Sequence, residues 1–274
     1  MLITIIIAVL LLPGLLFFGG RMRVDRQGKE EIEKLRSLAA DISGQVYRKK
    51  QLEGLPEPVQ RYFHHVLKDG QPYVSSVRLT HDGEFKTSLD REWIKIRGEQ
   101  FFTAEEPGFL WIGKTALFTA RDMYIGGEGR IVVSLLSLFN VVEGKGEIYD
   151  QGELLRWLGE SVWFPTNLLP RAGLQWQALD ANTAILSFQH RGMCLEYRVR
   201  FNGKGEITEL ETQRHMGDEG LKTWIGRLSD YEEVSGMKVP MKIEALWKLD
   251  GEEHSYARFN VKEIHLNYER SALL

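Results

Sequence analysis

The sequence predicts a mainly β protein of the α+β type: an N-terminal transmembrane helix, then a curved antiparallel sheet or open half-barrel of about ten strands with two or three packing helices. Three observations predict it. Leu2 to Gly20 carries no charged side chain and stops abruptly at Arg21-Met22-Arg23, a run long enough at ~1.5 Å per residue to cross a bilayer. From Tyr73 onward apolar residues recur at every second position, the period of a strand. Gly, Asn and Asp turns punctuate these runs at short intervals, as in an antiparallel meander.

The first element reads as a retained single-pass anchor over residues 1–21. A cleaved secretory leader would show a basic start, an apolar run of roughly 7 to 15 residues and a small-residue cleavage site. This chain has no Lys or Arg before its apolar run. Arg21, Arg23, Arg26 and Lys29 all follow it, which by the positive-inside rule places the large domain in the cytoplasm.

Residues 22–53 form a charged helical connector, in which Ile32, Leu35, Ala39, Ile42 and Val46 draw a narrow apolar stripe of about two heptads. Packing on the protein's own domain is the simpler use of that stripe. The domain itself occupies 54–270. It opens with a helix from Pro56 to about Lys68, whose Val59, Tyr62, Phe63, Val66 and Leu67 make one apolar face and which Asp69-Gly70 stops.

Among the strands, Met237 to Leu249 alternates most clearly, and Asp250-Gly251 turns it into a second long strand. There the phase shifts between Val261 and Ile264, the mark of a β-bulge. Further turns are expected at His81-Asp82-Gly83, Gly126-Gly127, Asn202-Gly203 and Ser235-Gly236. A helical insert over 150–162 interrupts the sheet, with Asp150 as its N-cap and Leu154, Leu155, Trp157 and Leu158 as its apolar side. The irregular apolar run from Val162 to Pro170 follows it.

Composition narrows the function classes. The net charge is -3, with 27% charged and 43% hydrophobic residues, so the chain builds a proper core and lacks the concentrated basic patch of a nucleic-acid binder. Cys194 is the only cysteine, which removes intrachain disulfides and thiolate clusters and reads as a buried inert thiol. Gly108 to Thr115 matches the letters of a phosphate loop, but its Phe-Leu-Trp-Ile centre and the strand-like run behind it lack the helix start that phosphate binding needs. The seven histidines show no metal-binding spacing and there is no G-x-S-x-G elbow. No metal, cofactor, nucleotide or nucleic acid is therefore expected, and no catalytic residue is assigned.

One cluster stands out. Glu153, Arg156 and Glu160 share a face of the insert; they read either as a cap with intrahelical ion pairs or as polar groups that orient a ligand beside an apolar pocket. Trp157, Trp163 and Trp176 gather around the same helix and loop, where a lid over a hydrophobic cavity would sit. Trp111, Glu153, Arg156, Trp157, Glu160, Trp163, Phe164 and Trp176 are accordingly the expected ligand-binding residues.

The run Leu55-Pro56-Glu57-Pro58-Val59-Gln60-Arg61-Tyr62-Phe63 resembles the opening of an uncharacterised bacterial membrane-anchored family. Gly152 to Leu158 with its Trp-Phe-Pro tail, Tyr231 to Pro240 and the final hairpin fit the same family, over about residues 50 to 268. That family is similar in shape to the lipoprotein-carrier (LolA/LolB-like) half-barrel. The resemblance implies lipid or lipoprotein handling outside the cytoplasm, against the Lys/Arg distribution, and it carries over no proven site. The leading expectation is thus a membrane-tethered protein that holds a lipid or other amphiphile in an apolar half-barrel cavity. An enzyme using the Glu/Arg cluster at that cavity and an envelope interaction module without a small ligand are the alternatives.

Overall fold

The computed structural model describes the backbone of residues 2–268 and the side chains of 18–268. Helix α1 runs Leu2–Ser37 and α2 runs Glu57–Val66. Six strands follow: β1 (Ser76–Phe85), β2 (Ile94–Thr103), β3 (Gly108–Lys114), β4 (Phe118–Ile125), β5 (Glu128–Leu135) and β6 (Phe139–Lys145). Helix α3 (Glu147–Glu160) leads through two 3₁₀ turns, Ser161–Trp163 and Pro165–Leu168, into β7 (Leu174–Asp180). Then come β8 (Thr183–His190), β9 (Met193–Phe201), β10 (Ile207–His215), β11 (Leu221–Val234), β12 (Met237–Leu249) and β13 (Glu252–Leu266).

All thirteen strands form one antiparallel sheet in the order β6-β5-β4-β3-β2-β1-β13-β12-β11-β10-β9-β8-β7. It consists of two meanders, 1–6 and 7–13, zipped together where β1 pairs with β13. The connection from β6 to β7 therefore joins the two outermost edges. In a curved sheet the short route between the edges crosses the hollow side, so α3 and its 3₁₀ turns lie inside. Helix α3 touches β3, β4, β5 and β6 of one meander and β9 and β10 of the other. The core follows from this: Trp157, Leu154, Leu158 and Phe164 of the insert pack with Phe102, Phe109, Leu186 and Val199 of the sheet.

The expected mainly β architecture holds, with thirteen strands in place of about ten. Of the turns not named from the sequence, some lack the usual signals, as at Leu136-Ser137, while others carry them, as at Pro107-Gly108 between β2 and β3 and Asp180 to Asn182 between β7 and β8. His81-Asp82-Gly83 is not a turn but the middle of β1. Gly83 stands there because a β-carbon would lie 2.0 Å from the carbonyl oxygen of Arg258 on β13. The bulge in the last strand is present, since the β1–β13 register slips between Thr80 and His81, opposite Lys262. Gly108 to Lys114 is a plain strand and hairpin.

Helix α3 starts at Glu147, three residues before the expected cap. Asp150 instead accepts the backbone N–H of Gly129 at 2.6 Å and so fastens the helix to β5. Cys194 is exposed rather than buried, because Leu195, Tyr197 and Val199 take the inward positions of β9.

Anchor and connector are not separate elements. No helix among the described residues is long and apolar enough to cross a membrane, and the anchor expected over 1–21 falls mostly on residues 1–17, whose side chains lie outside the described residues. Helix α1 passes the expected boundary at 21 unbroken and ends at Ser37, so 22–53 is only partly helical. Its apolar stripe starts earlier than expected, at Val24, and Ile32 and Leu35 pack with Phe101, Leu110 and Met123 on the outer face of the sheet. Arg121 of β4 ties the helix down by donating to Glu31 at 2.7 Å and to Gln27 at 3.1 Å.

Candidate functional site

The inner face of the sheet meets a largely buried charged group in a mainly apolar interior: Glu153 and Glu160 are buried, and Arg156, Asp122 and Arg214 are nearly so. Arg156 is its centre: its Nη1 donates to Asp122 of β4 at 2.7 Å, and its Nε donates to Glu160 one turn along α3 at 3.0 Å. The guanidinium also stacks over Trp111 and Phe109, at 5.1 and 5.2 Å, a cation–π arrangement. Gln100 of β2 donates to the second oxygen of Glu160. Across the interior, Arg214 of β10 approaches Glu153 at 3.5 Å. Gly152 makes room for that arginine, whose Nε lies 3.3 Å from where a β-carbon would stand.

Two guanidiniums thus face three carboxyls, so one carboxyl is best left neutral. Burial raises the pKa values of Asp122 and Glu160, against the pull of Arg156. Glu153 is pushed up to about 8, by burial and then by the charge of Asp122. It is also the carboxyl with the longest guanidinium contact, and its Oε2 has no hydrogen-bond partner. For Arg156, burial opposes the charge, but Glu160, Asp122 and Glu153 outweigh it and keep the group ionised.

Next to this group, Trp111 donates its indole N–H to Nε2 of His81 at 2.8 Å. A neutral His81 that accepts there carries its proton on Nδ1. Burial, followed by the positive charge of Arg156, lowers its pKa to about 4.

The eight residues expected to bind a ligand all lie in this interior. Trp111, Glu153, Arg156 and Glu160 come together as described. Trp157, Trp163, Phe164 and Trp176 are core residues. Each indole finds a carbonyl: Trp157 donates to Thr103, Trp163 to Pro240 and Trp176 to Leu168, at 2.8 to 2.9 Å. Sequence reasoning missed Asp122, Arg214, Gln100 and His81. They sit on four different strands, and no spacing along the chain connects them.

Among the described residues, two of the clefts open elsewhere. The larger, about 1430 Å³, runs across β1, β2, β3 and β10 to β13 and is lined by charged side chains such as Lys95, Arg97, Arg227 and Arg258 together with the apolar Ile96, Leu228, Ile243 and Phe259. The smaller, about 350 Å³, lies between α3 and strands β8 to β11. None of the eight expected residues lines either one. The interior where the apolar cavity was expected is filled by α3 and its 3₁₀ turns.

These features define a class: a single curved antiparallel sheet wrapped around its own crossing helix, with a buried charge cluster at the contact. The chain belongs to a family of unknown function, DUF6544, whose model matches residues 45–259. No curated protein matches it. Among solved structures it is similar to a LolA superfamily protein from Nitrosomonas europaea, at 10% identity and a TM-score of 0.44, over 78% of this chain and 94% of that one. It is also similar to a putative outer membrane lipoprotein-sorting protein domain from Vibrio parahaemolyticus, at 7% identity and a TM-score of 0.41, over 72% of this chain and 88% of that one.

Proposed function

We propose that this protein is a membrane-tethered binding protein for an amphiphile, with the inner face of the sheet as its ligand surface and α3 as the segment that covers it. The observation that carries the reading is the charged group of Asp122, Glu153, Arg156, Glu160 and Arg214 inside an aromatic and aliphatic interior. Buried ion pairs of this kind contribute little net stability, and well-packed apolar residues would often serve a fold better. An interior with an oily wall and a set of fixed charges suits a molecule with a tail and a polar head.

Because α3 and its 3₁₀ turns fill the interior, a ligand enters only if they move outward. The uncharged run Leu2 to Gly20 would keep the domain within reach of lipid. Full-length protein purified from membranes should carry a lipid that native mass spectrometry detects, and Trp157→Ala or Trp163→Ala should reduce its retention. Lipid-free protein that also fails to bind a fluorescent fatty acid would overturn the proposal.

A second reading has its own observation. The charged cleft across β1 to β3 and β10 to β13 includes Lys95 and Arg97 and would suit a charged segment of an envelope partner. Crosslinking in intact cells from a photoreactive group at residue 97 should then capture a discrete protein, and capture of none would exclude it.

A further inference from the structure

The hairpin between β5 and β6 reads Leu135-Leu136-Ser137-Leu138-Phe139. Leu136 and Ser137 hold φ values of 48° and 59°, the left-handed region that two-residue hairpins normally give to Asn-Gly. A leucine there is strained, and its side chain is exposed, so no core packing compensates. The backbone N–H of Leu136 donates to the carbonyl of Leu117 at 2.7 Å, which brings the β3–β4 hairpin alongside. Leu117 is 61% exposed. On the edge strand β6, Phe139 and Val141 are 67% and 55% exposed.

Helix α1 arrives at the same place. At Gly20 a β-carbon would lie 2.5 Å from the carbonyl oxygen of Ser137, and Arg23 donates to the carbonyl of Leu138 at 2.9 Å. Phe18 and Met22, 63% and 60% exposed, flank that contact. The uncharged run of the sequence therefore ends where the exposed leucines and phenylalanine begin; Arg23 sits at that contact, Arg21 precedes it in α1, and Lys114, three residues before Leu117, pairs with Asp25 of α1 at 3.3 Å.

We infer that the tips of the β3–β4 and β5–β6 hairpins form a docking surface for the lipid bilayer, with Leu117, Leu136 and Phe139 in the acyl region and the basic residues at the headgroups. An apolar patch with a cationic rim, continuous with an uncharged 19-residue run (Leu2 to Gly20), matches a membrane interface in both chemistry and position. The inference rests on the tether proposed above and adds to it the face that the domain turns to the membrane. The close packing of α1 on β2 and β3 fixes that face relative to the helix.

The test uses the full-length chain with Cys194→Ser and a single reporter cysteine at Leu136→Cys, labelled with an environment-sensitive fluorophore. It is reconstituted into vesicles of phosphatidylcholine and phosphatidylglycerol containing acyl-nitroxide lipid. Leu117→Cys gives an independent reporter, and Leu179→Cys, exposed on the opposite edge strand β7, is the control. Nitroxide should quench the reporters at 136 and 117 at least threefold more than the control, and adding Phe139→Asp should abolish the difference. Chains that float with vesicles but show equal quenching at all three sites would overturn the docking surface and leave the tether intact. Chains that do not float would overturn both. A reporter at 136 shielded equally in detergent and in vesicles, without response to nitroxide, would assign the patch to a second copy of the chain and likewise overturn the inference.

Discussion

Gly98 of β2 lies directly opposite His81 of β1, and a β-carbon at residue 98 would fall 2.0 Å from the imidazole Nε2. That nitrogen accepts the Trp111 N–H, and the His81 ring also packs against Phe259 with centroids 4.3 Å apart. The glycine thus holds open the place where strands from both meanders meet the charge cluster. Gly98→Ala should push the imidazole off Trp111 and destabilise the fold by roughly 1 to 3 kcal/mol. Gly203→Ala, with nothing within 4 Å of its β-carbon, should change stability far less. Urea midpoints of the two variants check the contrast.

His81 also sets an acid limit. Its pKa in the fold is about 4, whereas the unfolded chain binds the proton near 6.5. Between those values the unfolded state holds more protons, so stability falls as pH drops through that window, by up to about 1.4 kcal/mol per unit. His81→Gln should flatten the stability profile between pH 6.5 and 4 relative to the parent. Equal slopes would mean that His81 titrates normally.

Glu153 acts in the opposite sense. Its folded pKa of about 8 lies above the ordinary carboxyl range, so the folded protein holds the extra proton between about pH 4.5 and 8. Its contribution is full below that window and is lost as pH rises through it. Glu153→Gln keeps a polar group beside Arg214 without the ionisation, and should gain on the order of 1 to 3 kcal/mol over the parent at pH 9. At pH 5 the two should be close. Melting curves at the two pH values decide it.

Trp157 is fully buried and is the bulkiest group that α3 sets into the sheet. Trp157→Ala should cost about 3 to 5 kcal/mol through the cavity it leaves. Trp157→Phe should cost less but leave the Thr103 carbonyl without its donor, a loss of about 1 to 3 kcal/mol. If the phenylalanine variant retains parental lipid content while the alanine variant loses it, the ring's volume rather than its N–H matters for retention.

Local features were legible where one period or one turn decides the outcome. The alternation from Met237 to Leu249 specified β12 in full, and the phase shift in the last strand announced its bulge. The apolar face of Val59, Tyr62, Phe63 and Val66 placed α2 to within two residues. Reading failed where a residue's role is set by something distant in the chain. Gly83 looks like a turn until the backbone of β13 is seen against it. Glu153 looks like a partner for Arg156 one turn away, but its arginine is Arg214, on β10.

By itself the sequence determined the antiparallel β class, the apolar interior, the presence of a helix in the insert and the uncharged N-terminal run, because each depends on composition or on a repeat a few residues long. Tertiary structure alone decided that the two meanders join through β1 and β13, that the crossing helix fills the hollow, and that Asp122, Arg156, Glu160, Arg214 and Glu153 share one buried site. The reason is one of distance along the chain. A helix that must connect the two far edges of a curved sheet is forced through its interior, and what it meets there is fixed by strand order, which no local pattern records.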